Sequence, residues 1–449
     1  MSSIAINALS RLLLDTAGGR DRAVTVRLAF DGRSPWLMAC QAAVYALPFV
    51  QRGGPGDIVV TDSGRGPGWY FGLNGRRLSA DLHEFFWHSN QGPHAVELSL
   101  YSDQGVEGTL CIPPSPSFYW REQHAAAMEA APALLILAAL RRAGFALRPA
   151  SPAVDVLPCS PTPGPISLNW FRVKKLARSA YLRLPGADPR ARWGIALHPD
   201  SGGAVPMSGW QWVRGFAEHE SADPFLVRDQ QKLWLFYEDI LPHSGHGRVA
   251  VTPAFDDSAE PSVVLEKPYH LSYPCVFEHG PDWFMIPESS ANSTVDLYRA
   301  RRFPYEWEHV TTLMQGPRLV DTTPFFHEGR WYFFTTMLLP RRAYLSLLFV
   351  SEALDAPWQL HPASPLTGDA AIARSAGPVT RFNGRLIRPV QDCLLRYGQS
   401  MTLREIVSLS PSVFEDRPVE QIMPTWHPGL SGTHTFCPAG PALALDALR

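Results

Sequence analysis

The sequence predicts a mainly β protein: a five-bladed β-propeller over the C-terminal two-thirds of the chain, preceded by a small α/β domain. Three observations lead to this fold class. Strand-like segments repeat at intervals of 50 to 54 residues after Trp210, strands alternate with helices before residue 147, and a proline-rich stretch separates the two regions. The predicted domains are therefore 1–147, a linker with a helix over 148–209, and the propeller over 210–449.

Length and composition limit the classes of function. A chain of 449 residues is long enough for two or three domains, and 45% apolar residues with 18% charged residues argue against extensive disorder. The formal net charge of -2 gives no electrostatic basis for binding nucleic acid or an anionic membrane surface. The 14 tryptophans and 42 prolines fit a strand-and-turn protein that offers aromatic surfaces to sugar rings.

Cysteine spacing and the N-terminus bear on compartment and cofactors. The six cysteines form no Cys-X-X-Cys pair, so the sequence predicts buried free thiols in a reducing compartment rather than a zinc site or a disulfide scaffold. The first residues lack the pattern of a secretory signal, and the longest apolar run, 131–140, is too short to span a membrane. We therefore expect a cytoplasmic protein with no membrane span. No nucleotide-binding or nucleophile-elbow motif stands in a convincing context, so we expect no cofactor.

The first domain is predicted from its alternating elements. Residues 24–30 and 57–60 have the apolar character of buried strands, and 35–49 between them has a helical pattern. A second helix is predicted over 121–142, with Gly144 as its terminator.

The linker begins at 148–165, where six prolines enforce an extended, semi-rigid backbone. A helix with basic residues on one side is predicted after it, over 168–184.

Four repeated segments are the strongest signal in the sequence. In each, a polar residue and a proline open a short apolar strand, a polar turn follows, and a second strand ends on a polar or acidic residue. The prolines recur at intervals of 50, 50 and 54 residues, at Pro224, Pro274, Pro324 and Pro378. This length is typical of four-stranded propeller blades. The fifth unit is expected around 429–436, with the ring closed by strands from before Ala222, such as 210–216.

The repeats resemble a known family. The segments that carry the resemblance are ADPF with FYED from Ala222, HLSYPCVFEHGPDWFMIPES from His270, LVDTTPFFHEGRWYFFTT from Leu319, ARSAGPVTRFNGRLIRPVQDCLLRYG from Ala373, and GTHTF from Gly432. They are similar to the five-bladed propeller at the N-terminus of plant glucosamine inositolphosphorylceramide transferases. Similar propellers occur in bacterial polysaccharide-cluster proteins, some of them fused to formyltransferase-like domains.

This group in turn resembles the furanosidase propellers of arabinanases, β-xylosidases and invertases, which place carboxylates at the starts of the inner strands. The resemblance implies a carbohydrate or a sugar-containing small molecule as partner, in polysaccharide or glycolipid biosynthesis. It does not by itself imply hydrolysis, because one fold hosts many functions. Residues 1–147 lack an HxSLLP-type segment, so a degenerate formyltransferase-like domain is expected there.

Three carboxylates are the catalytic candidates, since glycoside cleavage needs one protonated and one ionised carboxyl group. The resemblance places Asp223 where the furanosidase propellers keep their base or nucleophile, so we expect it to be ionised. Glu288 ends an apolar strand that could raise the pKa of its carboxyl, and we expect it to be the acid. Asp321 would tune the acid or bind a hydroxyl. The alternative is that all three cap strands and turns.

Seven further residues near the strand ends are predicted to bind the substrate: Glu238, His270, Tyr273, Arg374, Arg388, Gln391 and His434. The two arginines could clamp a phosphate or carboxylate of the substrate, or form ion pairs between blades, with Arg388 bonded to Asp392 or Glu288. His434 could instead close the ring by bonding a neighbouring blade. We expect no transition-metal site, because His243 and His246 lack a third ligand nearby in the sequence. An axial cation remains open.

Three functions remain open from the sequence. The first is an enzyme that acts on a glycan or an activated sugar by hydrolysis or glycosyl transfer. The second is a non-catalytic glycan-binding module. The third is a transferase whose chemistry lies in 1–147, which predicts a pocket near the carboxyl ends of the α/β strands.

Overall fold

The structure is a computed structural model that describes most of the chain. The described residues are 2–16, 25–32, 35–54, 57–61, 68–77, 96–113, 120–148, 173, 192–339, 343–394 and 396–449. Strands dominate these residues, which confirms the prediction of a mainly β protein. Apart from residue 173, the predicted helix over 168–184 lies outside the described residues, and so does most of the predicted linker. No described helix combines the length and apolar character needed to cross a bilayer.

Three helices and seven strands make up the described part of 1–147. The helices are α1 (Ser2–Thr16), α2 (Pro35–Tyr45) and α3 (Trp120–Arg142). The strands are β1 (Val26–Asp31), β2 (Val50–Arg52), β3 (Ile58–Thr61), β4 (Tyr70–Leu73), β5 (Arg76–Arg77), β6 (Val96–Ser102) and β7 (Gly105–Ile112). The elements β1, β3, α2 and α3 correspond to the two strands and two helices predicted for this region, whereas α1 and the other five strands go beyond the prediction.

Two sheets organise this region. A three-stranded parallel sheet has the order β2-β1-β3, and α2 is the crossover between β1 and β2 that parallel pairing requires. An antiparallel sheet follows, with the order β5-β4-β6-β7. The largely buried α3 packs against β6 and β7, and α1 packs against α2 and α3.

Five antiparallel sheets follow in the chain, and we number them as sheets 1 to 5. Sheet 1 contains β10 (Glu220–Asp229), β11 (Lys232–Ile240), β12 (Gly247–Pro253) and β13 (Ser262–Leu265). Sheet 2 contains β14 (Ser272–His279), β15 (Asp282–Ser289), β16 (Thr294–Arg302) and β17 (Glu306–Gln315). Sheet 3 contains β18 (Leu319–His327), β19 (Arg330–Leu338), β20 (Tyr344–Ser351) and β21 (Gln359–Leu360).

Sheet 4 contains β22 (Arg374–Ser375), β23 (Thr380–Phe382), β24 (Arg385–Asp392), β25 (Ser400–Leu409) and β26 (Phe414–Ile422). Sheet 5 is assembled from distant parts of the chain, β27 (Phe436–Ala439), β28 (Ala442–Leu448), β8 (Trp193–His198) and β9 (Gln211–Trp212), in that order.

Sheet 5 corrects the predicted start of this region at residue 210. Strand β8 lies inside the range assigned to the linker, yet it pairs along its length with β28. The sequence contains no repeat that includes β8, because the fifth unit is divided between two ends of the region. The predicted closing segment 210–216 does contribute β9, which pairs with β8.

The first strands of consecutive sheets contact one another, from β10 to β14, β14 to β18 and β18 to β22. Strand β10 also contacts β27 and β28 of sheet 5, and the amide of Phe436 donates to the carbonyl of Ala376 beside β22. The contacts therefore form a closed circuit through all five sheets.

A bulge interrupts the first strands of sheets 1, 2 and 3 near their starts. Asp223, Tyr273 and Asp321 have φ of 51°, 43° and 51°, and the strand register shifts at each position. Left-handed backbone is uncommon for residues with side chains and re-aims the side chain relative to a regular strand. The equivalent Gly377 in sheet 4 has no room for a side chain, since an added Cβ would collide with the carbonyl of Phe436. These bulges aim polar groups towards the ring of first strands.

The apolar core continues from the N-terminal region into sheets 2 and 3. One cluster of buried residues includes Leu135 of α3 and Leu100 of β6 together with Phe333 and Leu345 of sheet 3. Among the described cysteines, five are free and buried, as expected, at Cys40, Cys111, Cys275, Cys393 and Cys437. Cys159 lies outside the described residues. The N-terminal region is thus packed against one side of the sheets rather than isolated from them.

Candidate functional site

Polar side chains collect where the first strand of each sheet starts and the second strand ends. Five of them form what we call the central cluster: Asp223, Asp321, Arg374, His434 and Asp446. Each is buried or nearly so, although all are ionisable. Buried charges are stable only when they are paired and hydrogen-bonded, so their partners define the chemistry of the site.

Asp223 bonds to both neighbouring sheets. One carboxylate oxygen accepts from the Tyr273 amide at 3.0 Å, and the other accepts from the Thr435 hydroxyl at 3.0 Å. The second oxygen also lies 3.6 Å from His434 Nε2. Burial, opposed by His434 but reinforced by nearby carboxylates, raises the pKa of Asp223 to about 7. The raised pKa favours the protonated carboxyl more than in an ordinary aspartate, and the ionised role of Asp223 stays a prediction.

Asp446 joins sheet 5 to sheet 1. Its carboxylate accepts the backbone amides of His434 at 2.8 Å and Thr435 at 2.9 Å, and the amide of Asp223 at 3.2 Å. His434 Nδ1 lies 2.5 Å from the same carboxylate. Burial disfavours the charged imidazole, but Asp446 and Asp223 outweigh it and raise the pKa of His434 to about 9. At neutral pH a cationic His434 thus lies between the carboxyl groups of Asp223 and Asp446. Because Asp223 belongs to the neighbouring sheet 1, this contact agrees with the alternative prediction that His434 helps to close the ring.

Asp321 and Arg374 join sheet 3 to sheet 4. Arg374 donates from Nε to one Asp321 oxygen at 2.6 Å, and Nη2 lies 2.6 Å from the same oxygen. Gln391 donates to the Ser375 carbonyl at 2.8 Å and lies 3.4 Å from Asp321. Asp321 raises the pKa of Arg374 well above its usual value in spite of burial, so the guanidinium stays charged. Arg374 is therefore engaged by Asp321 rather than available as a clamp for an anionic substrate.

Tyr273 is placed differently from its predicted role in substrate binding. The side chain is fully buried, and its hydroxyl bonds to the Thr323 hydroxyl at 2.8 Å and to the carbonyl and amide of Gly377, both at 2.9 Å. These partners belong to sheets 3 and 4, so the tyrosine from sheet 2 reaches across the ring. A hydroxyl with these three partners has no capacity left for a ligand. Tyr273 therefore links sheet 2 to sheets 3 and 4.

Glu238 and His270 form a second pair on the sheet 1 side. His270 Nε2 lies 3.0 Å from a Glu238 oxygen, and this bond raises the pKa of His270 to about 9. Glu238 is buried, and burial raises the pKa of its carboxyl. The His270 side chain is 37% exposed, so this pair connects the interior with solvent.

Glu288 is buried beside this pair but is fully engaged. One oxygen accepts from the Ser272 hydroxyl at 2.9 Å, and the other accepts from the Ser290 amide at 2.9 Å. Both bonds stay within sheet 2, as the strand-cap alternative predicts. The arrangement fits the strand-cap alternative better than the predicted role of general acid.

Arg388 lies outside the central cluster. Its guanidinium bonds to Asp416 at 2.6 and 3.1 Å, Arg404 shares the same carboxylate, and the guanidinium packs against Phe334 and Phe414. The structure therefore corrects its proposed contact with a substrate. It also differs from the predicted ion-pair alternative, because the partner is Asp416 rather than Asp392 or Glu288.

Three residues at the centre were missed by sequence reasoning. Asp446 is the sheet 5 counterpart of Glu238 and Glu288, at the end of a second strand. Tyr397 is 37% exposed and lies over Arg374, with 5.0 Å between the guanidinium carbon and the ring centre. Trp193 stacks on His434 at 4.2 Å between ring centres. No repeat signal marked these three residues, since Pro438 follows Pro378 by 60 residues, outside the 50 to 54 residue spacing of the register prolines.

Asp223, His434 and Asp446 also offer three ligand atoms within 4.8 Å of one another. Zinc binds nitrogen and oxygen ligands at about 2.0–2.2 Å in tetrahedral geometry, which separates two ligands by more than about 3 Å. His434 Nδ1 and Asp446 are only 2.5 Å apart, which is too close for two ligands of one zinc ion. The donor set therefore favours proton chemistry over metal binding.

Three cavities lie away from the central cluster. One of about 700 Å³ lies between α1 and the Trp358 region of sheet 3, and one of about 850 Å³ adjoins it. A third, of about 650 Å³, is lined by Thr25–Arg27 and Asp57–Val59 beside the parallel sheet. Those residues are the amino ends of β1 and β3, not the carboxyl ends where α/β sheets bind ligands.

Comparison with known proteins confirms the resemblance seen in the repeats. Residues 210–429 match the family model described as glucosamine inositolphosphorylceramide transferase 1, N-terminal. The proteins of that name from Oryza sativa subsp. japonica and Arabidopsis thaliana are 29% identical over 280 residues and 31% identical over 211 residues. The matches cover 60% and 45% of this chain but only 37% and 27% of the relatives. Both relatives are plant proteins, so they do not support a bacterial origin.

Solved structures with a similar fold include two glycoside hydrolases. An α-L-arabinofuranosidase from Clostridium thermocellum is 12% identical with a TM-score of 0.34, and the match covers 45% of this chain and 74% of that one. A β-fructofuranosidase from Bombyx mori is 11% identical with a TM-score of 0.36, covering 48% and 55%. Likenesses at this level carry no information about activity.

Proposed function

We propose that sheets 1 to 5 are the blades of a five-bladed β-propeller over about 192–449, and that its central cluster acts on a carbohydrate. The substrate class is a glycan or an activated sugar, in the assembly of a glycolipid or polysaccharide. The name of the plant relatives, glucosamine inositolphosphorylceramide transferase 1, supports this class because it combines an amino sugar with a ceramide lipid. Residues 1–147 are proposed as an α/β domain that packs against the propeller.

The observation that carries the proposal is the placement of Asp223, a buried carboxyl bonded to both neighbouring sheets and 3.6 Å from His434 Nε2. Its pKa of about 7 lets the carboxyl donate and accept a proton at neutral pH, as glycosyl transfer requires of an acid and base. The neighbouring His434 holds a positive charge next to it and Asp446 balances that charge. Asp223 is therefore the residue of the central cluster best suited to proton transfer.

The surroundings supply orientation rather than a second catalyst. The Asp321–Arg374 pair is a fixed dipole beside Asp223, and Tyr397 covers it with a partly exposed aromatic ring. Aromatic rings pack against the apolar faces of sugars while polar neighbours bond the hydroxyls. A sugar resting on Tyr397 would face the central cluster.

A second candidate is a glycan-binding module without catalysis. It is favoured by the state of Glu288 and Asp321, whose carboxylates are already bonded to serine groups and to Arg374. A glycosidase needs two carboxyl groups free to act on opposite sides of the scissile bond. The third candidate, chemistry in 1–147, has no support from the cavity beside the parallel sheet, which lies at the amino ends of the strands.

The experiment is calorimetric binding of a panel of free sugars, nucleotide-sugars and oligosaccharides, followed by analysis of products. Asp223→Asn removes the titratable group while keeping its shape, and Asp256→Asn in the exposed turn after β12 is the control. We expect the wild type and the control to bind and convert one compound, and Asp223→Asn to bind it with turnover lowered by about 10²–10⁴-fold. Equal binding by all three proteins with no product would establish the binding module instead. Absence of binding by the wild type would refute both.

A further inference from the structure

The connection between sheets 3 and 4 differs from the other connections at the ring. Sheet 3 ends in the two-residue strand β21, and residues 361–373 then lead to Arg374 without forming a strand, apart from an isolated bridge between Ser346 and Thr367. Most of this connection is buried, including Ser364, Asp369 and Ala370, each at most 1% exposed. Irregular backbone is normally kept at the surface, because its polar groups need partners.

The N-terminal region supplies partners for this buried connection. The amide of Arg148 donates to the carbonyl of Ser364 at 2.9 Å, and the amide of Cys111 in β7 donates to the carbonyl of Gly368 at 3.0 Å. The connection is therefore bonded to the N-terminal region at two separate points.

Strand β7 packs too closely against Gly368 to leave space for a side chain at that position. A Cβ added there would lie 2.5 Å from Cδ2 of Leu110 and 2.8 Å from the carbonyl oxygen of Thr109, both in β7. Next to it, Cys111 packs in a small buried cluster with Ala370, Ala373 and others. Strand β7 and the connection thus fit as closely as two elements of one core.

From this contact the connection runs directly to the central cluster. The carbonyl of Ala370 accepts the Cys393 amide at 2.9 Å, and the carbonyl of Ala373 accepts the Thr336 hydroxyl at 2.7 Å. Arg374 follows, and its guanidinium lies between the rings of Tyr344 and Tyr397, at 6.0 and 5.0 Å from their centres. Arg374 thus follows, by six residues, the backbone carbonyl of Gly368 that β7 contacts.

We infer that strand β7 of the N-terminal region is a positioning element for Arg374, acting through the 361–373 connection. The N-terminal region is then required for the geometry of the central cluster whether or not it has chemistry of its own. The inference concerns geometry within the chain and holds for whatever sugar the cluster binds.

The test is Gly368→Ala in the full chain, with hydrogen exchange measured by mass spectrometry. Gly54→Ala is the matched control, because a Cβ at Gly54 meets nothing within 4 Å. Val251→Ala, a buried truncation in sheet 1, controls for general loss of stability. We expect Gly368→Ala to accelerate exchange at 366–376 by about tenfold or more relative to both controls, after correction for global stability. Exchange there that rises no more than in Val251→Ala would overturn the inference.

A second readout reports on Arg374 itself. Arg374 lowers the pKa of His434 by charge repulsion, so a displaced guanidinium raises that pKa. The His434 signal in ¹³C-histidine NMR, assigned through His434→Gln, should titrate at higher pH in Gly368→Ala than in Gly54→Ala. Cys111→Ser, which places a hydroxyl in the buried cluster, should act in the same direction if Gly368→Ala fails to fold. An unchanged His434 titration in whichever of the two folds would contradict the positioning role.

Discussion

Two junctions of the ring are closed by buried charges, yet they behave differently. Between sheets 3 and 4, Asp321 faces Arg374, whose charge is permanent at any physiological pH. Between sheets 5 and 1, Asp446 and Asp223 face His434, and two of these three groups titrate between about pH 7 and 9. The comparison shows how one fold can combine two kinds of junction. An arginine facing one carboxylate makes a rigid junction, and a histidine between two carboxyl groups makes a proton-exchanging junction.

The largest effect is expected at the rigid junction. Arg374→Met leaves Asp321 buried without its partner and should lower the free energy of unfolding by about 3–5 kcal/mol. Urea unfolding measures this loss. The double variant with Asp321→Asn should recover most of it, because neither charge is then left unpaired. A loss below about 1 kcal/mol for the single variant would show that the pair contributes little.

The proton-exchanging junction should make the free energy of unfolding depend on pH. The pKa of His434 is raised from its ordinary 6.5 to about 9, so the folded state binds a proton more tightly than the unfolded state does. Its contribution is complete below pH 6.5 and is lost as the pH rises through 9, by up to about 3 kcal/mol. The raised pKa of Asp223 has the same sign, so stability also falls between about pH 4 and 7.

The measurement is urea unfolding of the wild type and His434→Gln from pH 5 to 10. The stability difference between the two proteins should shrink steadily between pH 6.5 and 9. A difference that stays constant over this range would mean that His434 is neutral in the folded protein.

The smallest effect is expected at Tyr273, which connects the two halves of the ring. Tyr273→Phe removes the hydroxyl and leaves the buried amide of Gly377 without that partner, at a cost of about 1–2 kcal/mol. Thermal unfolding would report it, with Tyr305→Phe, at a 42% exposed position, as control. Equal melting temperatures for both variants would argue against a bridging role for the hydroxyl.

The repeats allowed much of the fold to be predicted from the sequence. Regular proline spacing located the first strands and, with them, Asp223 and Asp321 at their starts. The mainly β class followed from the same pattern.

The partners of these residues could not be predicted in this way. Arg374 bonds to Asp321 because a bulge aims the carboxylate across a sheet boundary, and register in a repeat does not reveal bulges. Strand β8 was missed because its partner β28 belongs to a distant part of the chain. Tyr397 lies in a loop after β24, where no periodicity predicts which side chains turn towards the centre.

The divided construction of sheet 5 has a consequence for synthesis on the ribosome. Strand β8 leaves the exit tunnel before all of sheets 1 to 4, whereas its partner β28 follows them. The apolar residues of β8, including Ile195 and Leu197, therefore lack their partner strand β28 while sheets 1 to 4 are synthesised. The nascent chain is exposed to mispairing over this interval, and the ring can be completed only after β28 has emerged.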